Sequence, residues 1–218
     1  MNIAIDGPAG AGKSTIARLA AKELGFVYVD TGAMYRAIAL YLLDNKTDIY
    51  NEDELKRALS HININIVYEN NVQHVFLDLV DVSEEIRSEK VGNMASTSSA
   101  LVPVREKLLD LQRDIAAKND VIMDGRDIGT NILPNAELKI YLTASVDVRA
   151  KRRFDELKLK GENPDLEEIK KGIETRDYQD MNRDIAPLKR AEDAVLIDSS
   201  DMTIAEVVDK IIDLTKEK

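Results

Sequence analysis

The run Gly7-Pro8-Ala9-Gly10-Ala11-Gly12-Lys13-Ser14 constrains this chain more than any other feature. It meets G-x-x-x-x-G-K-[ST] at every fixed position, the pattern of a loop that cradles nucleotide phosphates. Glycines let the backbone turn tightly and aim its N–H groups at phosphate oxygens. A helix opening near Lys13 adds unpaired N–H groups and the positive end of its dipole. Lys13 can reach the β- and γ-phosphates as a point charge, the Ser14 hydroxyl can ligate Mg²⁺, and Thr15 is a candidate for the α-phosphate. The bland alternative is a glycine-rich turn that binds nothing. Context opposes it, because the motif follows an apolar strand, Asn2 to Asp6, and opens a segment with helical apolar spacing, Lys13 to Leu24.

The same context fixes the fold class. Gly25 stops the first helix, Phe26 to Val29 reads as a second strand, and Thr31 to Leu43 reads as a helix. Strand, loop, helix, strand is the opening of an α/β sheet. The pattern resumes later with a helix from Val104 to Lys118 and a strand Val121 to Met123 ending at Asp124. A strand from Leu138 to Leu142 follows, then charged helices from Val146 to about Lys160 and from Asp165 to about Met181. The strand Val195 to Ile197 and the helix Ile204 to Leu214 complete it. Between the two α/β stretches the chain reads differently. Asn51 and Glu54 suggest a capping box for a helix ending near His61. Ile62, Ile64 and Ile66 then alternate with polar residues, and a turn at Glu69-Asn70-Asn71 leads to a second extended run, as in an antiparallel hairpin.

With 218 residues, one domain with elaborations is expected. The expected fold is α/β, a P-loop NTPase-type parallel sheet flanked by helices. Its core is 1–62, 102–147 and 182–218, with an insert over about 63–101 containing the hairpin and a helical lid over about 148–181. The chain has no cysteine, which excludes disulfides, thiolate nucleophiles and Cys-based zinc sites. The N-terminus lacks a signal-peptide pattern and no run reaches the length of a membrane span, so a cytoplasmic protein is expected. The formal net charge of −10 disfavours nucleic acid polymers and anionic membranes as partners but leaves room for small anions in a local basic cleft.

Residues outside the loop indicate which P-loop chemistry to expect. Asn45-Lys46-Thr47-Asp48 matches the guanine-reading N-K-x-D pattern, but it follows a helix and ends no strand, and the chain contains no D-x-x-G. A polar turn after a helix explains it, and a GTPase switch is disfavoured. Asp124, ending an apolar strand, is the natural acidic partner of Mg²⁺. Arg36 and Arg126 each sit just after a strand, at the edge where parallel sheets bind ligands. Arginine forks suit phosphate and a transferring phosphoryl group. Arg149, Lys151, Arg152, Arg153, Arg176, Arg183 and Arg190 read either as solvated faces paired with Asp155, Glu156, Asp177 and Asp180, or as a basic lid that expels water. About half are expected to be of the first kind.

Four segments together resemble the bacterial cytidylate kinases, within the nucleoside monophosphate kinases. They are IDGPAGAGKST at Ile5 to Thr15, DTGAMYR at Asp30 to Arg36, DGRDIGT at Asp124 to Thr130, and RDYQDMNRDIAPL at Arg176 to Leu188. Adenylate kinases typically carry a DGFPR-type sequence where this chain has Asp124-Gly125-Arg126-Asp127. The resemblance implies ATP as donor, Mg²⁺ as cofactor, CMP and dCMP as acceptors, and a monomer. It implies that Ser96, Arg105 and Asp127 read the cytosine ring and that Arg36, Arg126 and Arg183 hold the monophosphate. It further implies that Arg176 and Asp180 contact the sugar, that Arg152 reaches the donor phosphates, and that the insert binds the monophosphate. Thr31 stands where the family often has serine, and its hydroxyl is expected to keep a substrate contact. Chemically, Asp127 can accept from the cytosine N4 amino group while Arg105 and Ser96 donate to the ring acceptors. Uracil would set a carbonyl against Asp127, so cytosine is expected over uracil. Two other readings remain at this point: another small-molecule kinase on the same scaffold, such as a uridylate, adenylate or shikimate kinase, and a non-enzymatic nucleotide switch.

Overall fold

The structure, a computed structural model, describes residues 1–69 and 72–218. Five parallel strands form the central sheet in the order β2-β6-β1-β7-β8. These are β1 (Asn2–Asp6), β2 (Val27–Asp30), β6 (Val121–Gly125), β7 (Leu138–Thr143) and β8 (Val195–Asp198). The inner strands β1, β6 and β7 are largely buried on both faces and read as apolar runs, whereas the edge strands β2 and β8 are partly exposed. The two faces nonetheless separate by the period of two. Ala4, Val29, Val121 and Met123 pack into one core with α2 (Thr31–Asp44), α3 (Glu52–His61), α4 (Glu89–Ser98) and α5 (Val102–Lys118). Ile3, Ile5, Ile122, Ile140 and Leu142 pack into the other, with α1 (Lys13–Leu24) and α8 (Ile204–Lys216). The sheet is therefore covered by helices on both sides, as the sequence predicts.

Between α3 and α4 lies a second, antiparallel sheet, β3-β4-β5. It pairs β3 (Ile64–Glu69) with β4 (Val72–Leu77) and adds the two-residue β5 (Val80–Asp81). The hairpin follows from the alternation at Ile64 and Ile66. The expected turn residues Asn70 and Asn71 lie outside the described residues. The strand β5 is too short to leave a pattern in the sequence. A 3-10 turn, Glu85–Arg87, leads into α4.

Two helices, α6 (Val146–Leu159) and α7 (Leu166–Asn182), pack on each other after β7. Asp165 caps α7 through the Glu168 N–H, and Gly161 takes a left-handed conformation between the helices. The capping box expected at Asn51 and Glu54 is half formed. Asn51 accepts from the Glu54 N–H, but the Glu54 carboxylate takes the Asp48 N–H at 2.9 Å instead of turning back. A complete box occurs at Thr203 and Glu206, opening α8. None of the helices among the described residues is long and apolar enough to cross a membrane.

Candidate active site

In the central sheet β1 and β6 are neighbours, with Ile5 beside Asp124 and Asp6 beside Gly125. Their carboxyl ends therefore deliver the glycine loop and the Asp124–Asp127 segment side by side. Gly7 leaves β1 with φ +153°, and a Cβ there would lie 1.9 Å from the Leu142 carbonyl oxygen of β7. Only glycine lets the loop pass that close. Gly125 is fixed by crowding instead, since a Cβ would meet Ile128 Cδ1 at 2.7 Å and Thr31 Oγ1 at 2.8 Å.

Lys13 is buried at 6% exposure, and its Nζ donates to the Pro8 carbonyl at 2.8 Å. Burial, then the charge of Arg126, pulls its pKa down to about 7. A phosphate would supply the countercharge. The Ser14 hydroxyl donates to Asp124 Oδ2 at 2.9 Å, so the two expected metal ligands are adjacent. The other oxygen of Asp124 accepts from Tyr28 at 3.0 Å. Burial pushes the Asp124 carboxyl up to about 6, helped by the nearby Asp30 charge. Among the described residues there is no cluster of three His, Cys, Asp or Glu side chains suited to a metal. One hydroxyl and one carboxylate make a hard oxygen pair. That fits Mg²⁺ brought in on nucleotide phosphates, because Mg²⁺ keeps several waters and takes few protein ligands.

A cleft of about 750 Å³ opens above these strand ends. It is lined by Ala9, Gly10, Gly12, Lys13, Ser14 and Thr15 of the loop, while Gly7, Pro8 and Ala11 are buried and do not line it. At one end stand Ser96, Arg105 and Asp127. Asp127 and Arg105 are both buried and ion-paired to each other. Asp127 also accepts from Asn131 at 3.1 Å and, through its other oxygen, from Arg183 at 3.4 Å. A carboxylate offers about four lone-pair sites, so roughly one is left for a further donor. The Arg105 guanidinium also lies 5.7 Å from the Tyr35 ring centroid.

The middle of the cleft carries positive charge. Arg36, Arg126, Arg176 and Arg183 all line it. Arg36 pairs with Asp30 at 3.0 Å and Arg126 with Asp180 at 2.9 Å. The buried Nε atoms of Arg36 and Arg176 have no partner among the described residues. Burial, then the charge of Arg126, lowers the pKa of Arg176, while burial lowers that of Arg183. Crowded, partly desolvated guanidinium groups with free donors are what an anionic ligand stabilises.

Several expected ligands already have protein partners. Thr31 lines the cleft but is buried, and its hydroxyl donates to the Asp124 carbonyl at 2.8 Å, so it also braces β6. Arg152 lines the cleft but gives its guanidinium to Ser199, 2.7 Å to the carbonyl and 3.3 Å to the hydroxyl. Reaching a phosphate would require exchanging those bonds. Arg183 donates to the Ala186 carbonyl through Nε at 2.8 Å. The charged helices divide as expected between surface and site, with different members. Lys151–Asp155 is a surface pair, while Arg153 and Glu156 are half-exposed, pair with each other and both line the cleft. Asp177 and Asp180, grouped with that face in the sequence, instead pair across to Arg149 and Arg126.

Two contributors are not singled out by the sequence. Arg149, at 4% exposure, donates to Ala9 of the loop and to Ala144, both at 2.9 Å, and pairs with Asp177 at 2.7 Å. It ties α6 and α7 to the phosphate loop. Asp6 accepts from the N–H groups of Ile128 and Gly129, each at 2.8 Å, and so holds the π-turn Ile128–Ile132 that follows Asp127. Burial raises its pKa to about 6. The part of the cleft lined by Ser199, Met202, Thr203, Ile204, Val207 and Arg153 also matches no motif.

Comparison with known proteins bears on this arrangement. The cytidylate kinase family model matches residues 3–217. A cytidylate kinase of Lactobacillus johnsonii is 49% identical over 218 residues, covering 100% of this chain and 95% of that protein. One from Caldicellulosiruptor bescii is 50% identical over 214 residues, covering 98% and 95%. Among solved structures, an uncharacterised protein from Eubacterium ventriosum aligns with a TM-score of 0.54 at 13% identity, covering 100% and 99%, which speaks to the fold alone. With the family model spanning nearly every residue and relatives near half identity over 95% of their length, the chain belongs to the cytidylate kinase family of ATP-dependent phosphotransferases.

Proposed function

We propose that this enzyme transfers the γ-phosphoryl group of ATP directly to the 5′-phosphate of CMP or dCMP. The observation that carries the reading is the single cleft joining the glycine loop to the Arg105–Asp127 pair through four arginines. It has a triphosphate cradle toward one end, a polar base site at the other, and a cation cluster between them. Both ends are needed for a two-nucleotide reaction, and neither a switch nor a hydrolase needs the second.

The residues divide the work. The loop and Lys13 bind the donor phosphates, and the apolar end at Met202, Ile204 and Val207 takes the donor's nucleoside. Ser14 and Asp124 would hold Mg²⁺, directly or through water, and when bound it draws charge off the phosphate oxygens. Arg36, Arg126 and Arg183 orient the acceptor phosphate, with Arg176 and Asp180 toward its sugar. Asp127 offers its remaining acceptor site to the cytosine amino group, with Arg105 and Ser96 at the ring acceptors. The attacking oxygen belongs to a phosphate that is already largely anionic at neutral pH, so no strong general base is required. Catalysis comes from alignment and charge stabilisation. The segments 63–101 and 148–181 act as the acceptor-binding insert and the lid, and closure excludes water that would otherwise compete for the phosphoryl group.

A coupled ADP-release assay with CMP, dCMP, UMP, AMP, GMP and shikimate tests the acceptor. CMP and dCMP should give the highest kcat/KM, with UMP lower by about 10²-fold or more. A preference for AMP or UMP would contradict the cytosine assignment, and ADP release independent of any acceptor would contradict transfer altogether.

A further inference from the structure

Gln73 lies in β4, opposite Tyr68 of β3, in the antiparallel sheet. Its side-chain amide leaves that sheet and clasps the main chain of Asp30, the last residue of β2. Gln73 Oε1 accepts from the Asp30 N–H at 2.9 Å, and Nε2 donates to the Asp30 carbonyl at 3.1 Å. Since β2 is an edge strand of the five-stranded sheet, these peptide groups have no neighbouring strand on that side. The amide supplies the donor and acceptor that a sixth strand would have supplied.

Asp30 is where the acceptor arm begins. One of its carboxylate oxygens accepts from the Ala33 N–H at 2.9 Å and caps α2, and the other accepts from Arg36 at 3.0 Å. Holding the Asp30 peptide at both its N–H and its carbonyl restricts the rotation from which both side-chain bonds are aimed. Gln73 itself does not line the cleft. We infer that Gln73 is a positioning residue for the acceptor phosphate, acting through Asp30 on Arg36. The antiparallel sheet thereby contributes directly to acceptor binding while its own strands stay outside the cleft. This inference rests on reading Arg36 as a ligand of the acceptor phosphate.

The test compares Gln73→Met, Arg36→Met and the double variant, measuring KM for CMP, KM for ATP, kcat and Tm. Methionine keeps the length and removes both hydrogen bonds. Gln73→Met should raise the CMP KM about tenfold and leave the ATP KM within about twofold. In the Arg36→Met background it should add little, because both changes break one chain of contacts. Gln73→Glu, which keeps the acceptor for the Asp30 N–H but opposes its carbonyl with a carboxylate, should raise the CMP KM as well and serves if the methionine variant folds poorly. A lowered Tm with the CMP KM unchanged would make Gln73 a tether between sheets and overturn the inference. So would additive effects in the double variant. An Arg36→Met variant with unchanged CMP KM would instead overturn the acceptor-site reading on which the inference rests.

Discussion

Lys13→Met should lower kcat by about 10²- to 10⁴-fold while leaving the protein as stable as the parent or more so. The two halves of this expectation have one cause. Lys13 is buried, with a main-chain carbonyl as its hydrogen-bond partner and the charge of Arg126 bearing on it. The carboxylates of Asp124, Asp6 and Asp180 offset only part of the cost of burying its cation, so replacing it with an apolar chain of similar length removes that cost. The same replacement removes the point charge aimed at the β- and γ-phosphates, whose charge redistributes as transfer proceeds. Steady-state kinetics and thermal melting of the two proteins check this together. A large fall in Tm accompanying the loss of activity would mean that Lys13 supports the loop rather than the reaction.

Asp127→Asn should lower kcat/KM for CMP by about 10²- to 10³-fold and narrow the preference for CMP over UMP. Asp127 is buried among three donors, from Arg105, Asn131 and Arg183. The remaining acceptor site suits an amino group. Asparagine keeps one oxygen for Arg105 and Asn131 but replaces the other with an NH₂ group, which opposes the cytosine amino group and tolerates a uracil carbonyl. Alanine would be a poorer probe, because it strands the buried Arg105 charge and costs about 3–5 kcal/mol of stability. Kinetics with both acceptors check the prediction. An unchanged CMP to UMP ratio would move base recognition to other residues.

What the sequence made legible was local. The glycine loop, its flanking strand and its helix could be read because their chemistry forces residue types at fixed spacing. The hairpin at Ile64–Glu69 and Val72–Leu77 could be read because alternation survives in a half-buried sheet. The features that escaped depend on contacts across the chain. Asp6 looks like the end of a strand, yet its carboxylate organises a turn 122 residues away. Arg149 is indistinguishable in sequence from Lys151 and Arg153, and only the packing of α6 against α7 and the loop buries it. The Thr31 hydroxyl meets the Asp124 carbonyl 93 residues away, a contact that nothing in the sequence reveals. The cleft end at Met202 to Val207 is built from ordinary helix-start residues and becomes a wall only when α8 packs beside α1.

Direct transfer between two bound nucleotides can be followed through the phosphorus signals of ATP and CMP by ³¹P NMR during turnover. CDP and ADP should appear together in equal amounts, with no inorganic phosphate beyond the background. Inorganic phosphate accumulating in place of CDP, or a phosphorylated form of the protein on the path to product, would contradict it.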